Sequence, residues 1–134
     1  MRNVLVVIRD EKLRKRVERL LPRRELHLQI ARNVRELRMA LRRPVDLLIA
    51  DMNAAALDGV EVVRVVKRLN PEAKSMAISG SSLWESTAFQ GLVAQLDMDS
   101  LLHASVSDDV LGRSLAILVE QTTPAIPPTL AHTA

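Results

Sequence analysis

The chain has 134 residues, of which 48% are hydrophobic and none is cysteine. This length and composition favour one folded domain with an aliphatic core, and they exclude disulfides and thiolate metal sites. The apolar runs are too short to span a membrane and no signal peptide precedes them, so we expect a cytoplasmic protein.

The net charge of +3 conceals a strong asymmetry along the chain. Residues 1–43 carry fourteen Lys and Arg against five Asp and Glu, a balance of +9, whereas residues 44–134 have a balance of −6. A basic half can attract nucleic acid, an acidic membrane or an acidic protein. The alternative interpretation is an ordinary solvated helical face.

Strand-like and helix-like segments alternate from one end of the chain to the other. Continuous apolar runs predict buried strands, and one alternating run predicts an edge strand with one wetter face. In chain order, the five predicted strands are residues 3–8, 26–30, 45–50, 75–79 and 100–103. Strict alternation predicts an α/β fold, a doubly wound five-stranded parallel sheet with five helices. The edge character of the second strand fits the flavodoxin-like strand order 2-1-3-4-5, in which helices one and five share a face.

The second predicted helix begins at a capping pair, Asn33 with Glu36. In such a pair, the first side chain accepts a hydrogen bond from a backbone N–H of the opening turn. Helical spacing predicts that Val34, Leu37 and Leu41 of this helix point inward.

The third helix is predicted to begin near Asp58 and to bury Val62, Val66 and Leu69 on one stripe. Ser107, followed by two acids, predicts the start of the last helix. Prolines and small polar residues follow that helix. We therefore expect a domain over residues 1–121 and a Pro-rich tail or linker over 122–134.

Polar side chains follow two neighbouring strands of the predicted sheet. Asp51 comes directly after the third predicted strand, and Ser79 ends the fourth. Functional groups of an open parallel sheet gather beyond the carboxyl ends of its strands. A carboxylate there can accept a transferable group, and a hydroxyl can donate a hydrogen bond to it. An Asp at a strand end is also common as a turn or cap residue.

These residues resemble the response-regulator receiver domain of two-component signalling. The resemblance rests on Asp51, on Asp58 and Gly59 seven and eight residues later, and on Ser79. It covers almost the whole chain before the tail. It implies that Asp51 corresponds to the phosphorylated aspartate and Ser79 to the hydroxyl residue that turns toward the phosphoryl group. It also implies that the backbone carbonyl of Asn53 corresponds to a ligand of Mg²⁺.

The chain departs from the receiver pattern at four site positions. Ile8 and Arg9 stand where receivers place two acids that bind Mg²⁺. Ala104 replaces the lysine that pairs with the phosphate, and Leu101 replaces the aromatic switch residue. Asp10 comes one place too late to replace a missing acid and is interpreted as a helix cap.

These departures predict that Mg²⁺ binding is lost. Exchanging a carboxylate for a guanidinium about 5 Å from a dication changes the Coulomb energy by on the order of 10 kcal/mol at an effective dielectric constant near 20. Without metal and lysine, little preorganised stabilisation of phosphoryl charge remains. Arg9 could instead pair directly with Asp51 and hold the surrounding loops in one state. The alternative is that Arg9 points into solvent.

The sequence supports three functional hypotheses. The first is a degenerate receiver, not an enzyme, that acts as a phosphorylation-independent interaction module. Its partner would be a histidine kinase, a phosphotransfer protein or an output domain, with an acidic surface suiting the basic half, and homodimerisation stays open. The second is a working phospho-acceptor modified on Asp51. The third is nucleic-acid binding through the basic half, for which this domain has no recognition motif.

Overall fold

The computed structural model describes residues 1–23, 25–52, 59–80 and 87–122. Its five strands pair in parallel in the order β2-β1-β3-β4-β5, which confirms the predicted topology. The strands are β1 (Arg2–Val7), β2 (Leu26–Ile30), β3 (Leu47–Asp51), β4 (Lys74–Ser79) and β5 (Ser100–His103).

The described ranges contain five helices, of which four connect successive strands and the fifth follows β5. They are α1 (Glu11–Leu20), α2 (Val34–Ala40), α3 (Gly59–Leu69), α4 (Thr87–Leu96) and α5 (Asp108–Gln121). Each of these helices is too short or too polar to cross a lipid bilayer.

The core lies in two layers, one on each face of the sheet. Side chains alternate between faces along a strand, so Val4, Val6 and Ile8 lie on one face and Leu5 and Val7 on the other. The first face packs against α1 and α5, as predicted, and the second against α2, α3 and α4.

Three of the helices begin at a residue whose side chain caps the first turn. The carboxylate of Asp10 accepts a hydrogen bond from the Leu13 N–H at 3.1 Å, which confirms its interpretation as the cap of α1. Asn33 caps α2 and Ser107 caps α5 in the same manner. An N-cap side chain satisfies one of the backbone donors that the first turn leaves without an intrahelical partner.

Two predicted inward positions are wrong. Val34, the first residue of α2, is 46% exposed, and Leu69, the last residue of α3, is 59% exposed. Both residues lie at an end of their helix. Periodicity predicts which face of a helix is apolar, but it does not predict how far the underlying sheet extends beneath the terminal turns. Leu37, Val62 and Val66 are buried, as expected.

Candidate functional site

The carboxyl edge of the sheet brings Asp51 and Ser79 together. Each is the last residue of its strand, and the register pairs Asp51 with Ile78, the residue immediately before Ser79. Adjacent strands lie about 4.8 Å apart, so the two residues are close along the backbone at this edge of the sheet. Both are buried, and the Ser79 hydroxyl also donates to the Gly80 carbonyl at 3.3 Å.

The end of β1 contributes no carboxylate to this edge. Ile8 is fully buried, and its side chain packs in the core layer beneath α1 and α5. Arg9 is exposed. The carboxylate of Asp10 is held at the start of α1 by its bond to the Leu13 N–H. The first strand therefore presents an apolar core residue and a cation at the two positions where the resemblance implies acids.

Arg9 does not pair with Asp51 in this structure. The ion pairs among the described residues include none between these two side chains, and Arg9 lies at the surface. The solvent-facing alternative is therefore the arrangement that the structure shows.

The described residues at this edge supply few of the oxygen ligands that Mg²⁺ requires. Proteins hold this ion through carboxylates and phosphate oxygens in strict octahedral geometry. Among the described residues, no group of three or more His, Asp or Glu side chains is placed to hold a metal ion. Asp51 supplies one carboxylate. Asn53 and Asp58, the other sequence-predicted residues of this loop, lie outside the described residues.

The end of β5 is joined to β4 through the backbone. The Ala104 N–H donates to the Ser79 carbonyl at 2.9 Å, while the Ala104 side chain packs against the core layer under α1 and α5. Leu101, in register with Ala77, packs against the opposite layer. The positions corresponding to the receiver lysine and the aromatic switch residue are therefore both occupied by apolar packing side chains.

Arg16 of α1 holds the loop after β5, a role that the sequence did not indicate. Its guanidinium donates to the carbonyls of Ala104 at 3.0 Å and Val106 at 2.6 Å, and to the Asp108 carboxylate at 2.9 Å. Arg19 adds a second bond to Asp108 at 3.0 Å. These partners lie about ninety residues away in the sequence, so no local pattern points to them. Arg16 therefore fixes the segment that carries position 104.

Hydrogen bonds from the Arg16 and Arg19 side chains hold the pKa of Asp108 below its ordinary value of 3.8. Its contribution to stability is therefore present above that value and is lost as the pH falls through the lowered pKa. We expect Asp108→Asn to be less stable than the wild type at pH 7, with the difference shrinking as the solution is acidified below about pH 4. Urea unfolding of both proteins across this pH range measures the effect. A difference that stays constant would show that Asp108 does not act through its charge.

Gly59 begins α3 directly against the end of β3. A Cβ atom at this position would lie 2.8 Å from the Asp51 carbonyl oxygen and 2.8 Å from the Met52 Cα. Real Cβ atoms do not approach backbone atoms so closely. The Asp-Gly spacing noted in the sequence therefore has a packing cause, because only glycine lets α3 start this near the backbone at the end of β3.

Comparison with known proteins connects this geometry to one fold. No protein-family model matches the sequence, and no curated protein matches it. Solved structures do match. A CheY-like response regulator receiver domain protein from Methanospirillum hungatei JF-1 superposes with a TM-score of 0.72 at 19% identity, covering 90% of this chain and 96% of that one. The chain has the receiver fold.

Two further solved structures match this fold and differ in the functions that their names give. A response regulator from Burkholderia pseudomallei, with a phosphorylated aspartic acid and a calcium ion, matches with a TM-score of 0.69 at 20% identity, over 90% of this chain and 70% of that one. An adenylate cyclase from Rhodopirellula baltica matches with a TM-score of 0.72 at 16% identity, over 89% and 87%. The receiver fold thus occurs in proteins described by different functions, and the site residues must carry the functional argument.

Proposed function

We propose that this chain is a degenerate receiver of two-component signalling that works as a protein-interaction module, without enzymatic activity and without efficient phosphorylation of Asp51. The observation that carries the proposal is the burial of Ile8 in the core beside an exposed Arg9. An isoleucine and an outward guanidinium cannot supply the two carboxylates that the resemblance implies for Mg²⁺. Mg²⁺ binding is therefore proposed to be lost.

The loop after β5 supports the same proposal. Ala104 has no ammonium group that could pair with a phosphoryl group. The Arg16 guanidinium does not replace it, because it donates to the carbonyls of Ala104 and Val106. Phosphoryl transfer depends almost entirely on positioning and on cations that stabilise the transferred charge. With neither metal ligands nor this lysine, the retained Asp51 has little assistance. A fold that keeps its shape without phosphorylation can still present fixed surfaces to a partner.

The phosphorylation state of Asp51 after treatment with acetyl phosphate and Mg²⁺ tests the proposal. We expect intact-mass analysis to show no stoichiometric adduct of about 80 Da, roughly one phosphoryl group. The positive control is a receiver that keeps both acids and the lysine, treated in parallel. The Asp51→Asn variant identifies any adduct on the acceptor. An adduct in the wild type that this variant loses would overturn the proposal.

The same experiment decides the second candidate, a slow but working phospho-acceptor. The observation that favours it is the retention of Asp51 and Ser79 at the ends of two adjacent strands. A carboxylate with a neighbouring hydroxyl donor is the minimal arrangement for holding a phosphoryl group. This candidate requires a Mg²⁺-dependent adduct that grows over hours. Titration with Mg²⁺ alone, followed by NMR of the residues around Asp51, separates metal binding from chemistry.

A further inference from the structure

The basic half of the chain divides into two surfaces with different charge environments. On α1, Lys15 pairs with Glu11 at 3.0 Å, and Arg16 and Arg19 both bond to Asp108. Much of the α1 charge is therefore neutralised within the molecule. The exposed α1 face is the weaker candidate for an acidic partner.

The outer face of α2 is different. Arg35, Arg38, Met39 and Arg42 follow one another at the spacing i, i+3, i+4 and i+7, which places them on one helical face. All four are exposed, and backbone bonds of the following turn continue the helical path as far as Arg42. We call these four residues the α2 arginine face. None of its three arginines has an ion-pair partner within the described part of the chain.

This arrangement is costly for the isolated helix, because like charges three and four residues apart repel. A face that only maintains solubility is usually built from mixed charges with internal pairs. Here the cations are all arginine and surround Met39, which is 56% exposed. Arginine and methionine are both enriched at protein–protein interfaces, whereas lysine is depleted. The composition of the α2 arginine face is that of a contact surface.

We propose that the α2 arginine face binds an acidic segment of a partner protein, in which carboxylates flank an apolar side chain. The guanidinium groups would form bidentate pairs with the carboxylates, and Met39 would pack against the apolar group between them. From Arg35 to Arg42 the face spans about 10 Å along the helix axis, the length of two turns of a partner helix. The interaction rests on the proposed role as an interaction module, but it does not depend on the state of Asp51.

Two other occupants fit the α2 arginine face less well. Single-stranded nucleic acid is bound through aromatic stacking platforms, and the chain has only Trp84, outside the described residues, and a buried Phe89. An exposed methionine gives a phosphate backbone nothing to contact. The second alternative occupant is the chain's own segment 123–134. It contains neither Asp nor Glu, so it offers no carboxylate side chain to the three arginines.

Binding of a labelled helical peptide, followed by fluorescence anisotropy, tests the proposal. The probe is an alanine-based peptide with Glu at i, i+3 and i+7 and Leu at i+4, and its control carries Gln in place of Glu. We expect the full chain to bind the Glu peptide, and the Arg35→Gln, Arg38→Gln, Arg42→Gln triple variant to bind it at least about tenfold more weakly. Met39→Gln, a single surface change, is expected to weaken binding about threefold.

A matched variant removes the same three charges from elsewhere in the basic half, through Lys12→Gln, Lys15→Gln and Arg23→Gln. We expect it to bind the Glu peptide within about twofold of the wild type. Equal losses in both triple variants would overturn the proposal, since they would indicate attraction by net charge alone. Tighter binding of single-stranded RNA that ignores Met39 would assign the face to nucleic acid instead. Absence of peptide binding would also overturn it, whatever the outcome of the acetyl phosphate experiment.

Discussion

Replacing Ile8 with Asp is expected to destabilise the fold by about 4 kcal/mol. The substitution restores the residue type that the receiver resemblance implies, yet Ile8 is fully buried beneath α1 and α5. It removes a packed aliphatic side chain and places a carboxylate in the core layer that also holds Val4, Val6 and Leu13. The Arg14 guanidinium donates to the backbone carbonyl at position 8 at 3.4 Å, on the outer side of this layer, and does not replace the lost packing. Urea denaturation at pH 7, compared with the wild type, measures the loss of unfolding free energy.

The neighbouring substitution Arg9→Asp is the matched control. Arg9 is exposed and has no ion pair among the described residues, so this change should stay within about 0.5 kcal/mol of the wild type. Acidification to pH 4 should recover part of the stability of Ile8→Asp, because burial disfavours the charged carboxylate more than the neutral acid. A loss below about 1 kcal/mol for Ile8→Asp would show that position 8 can turn to solvent. In that case an acid at position 8 could reach the strand ends, contrary to the proposed loss of Mg²⁺ binding.

This prediction gives a physical reason why the proposed loss of Mg²⁺ binding would be difficult to reverse. Once an apolar side chain occupies position 8, the core layer repacks around it, and close packing penalises any later change of size or polarity. The retained Asp51 cannot reverse the proposed loss alone, because its own strand contributes no second carboxylate among the described residues.

The topology of this chain could be predicted because each element carries its own local signal. Apolar runs of four to six residues gave the strands, and the alternation of residues 26–30 marked the edge strand. Side chains that bond to a backbone donor three residues later gave the helix starts at Asp10, Asn33 and Ser107. These signals depend on neighbours within one turn, which a sequence displays directly.

The site could be predicted only where its residues follow strand ends. Asp51 and Ser79 were predicted because a strand terminates at each of them. Arg16 was not, because its partners on the loop after β5 come close only after the sheet has formed. Which described arginines form ion pairs could not be predicted either, for the same reason. The sequence shows how many charges there are, but it does not show which acidic side chain lies beside each arginine.

Gly59→Ala is expected to destabilise the protein by about 1–2 kcal/mol, although alanine is the better helix former. The new Cβ would lie 2.8 Å from the Asp51 carbonyl oxygen, so either α3 or the end of β3 must move. The destabilisation from overpacking exceeds the stabilisation from the higher helix propensity of alanine, because the crowded backbone atoms cannot move away by adopting another rotamer. Urea unfolding measures the loss, and NMR shifts at Asp51 and Met52 should report the displacement.

Gly91→Ala is the control for the same chemical change in another helix. A Cβ at Gly91 meets nothing within 4 Å, and the residue lies inside α4. There we expect a stabilisation of about 0.5–1 kcal/mol from helix propensity alone. Opposite signs for the two substitutions would locate the requirement for glycine at the contact with Asp51. Equal stabilisation in both would mean that α3 can withdraw freely from the strand end, and that the Asp-Gly spacing has no packing cause.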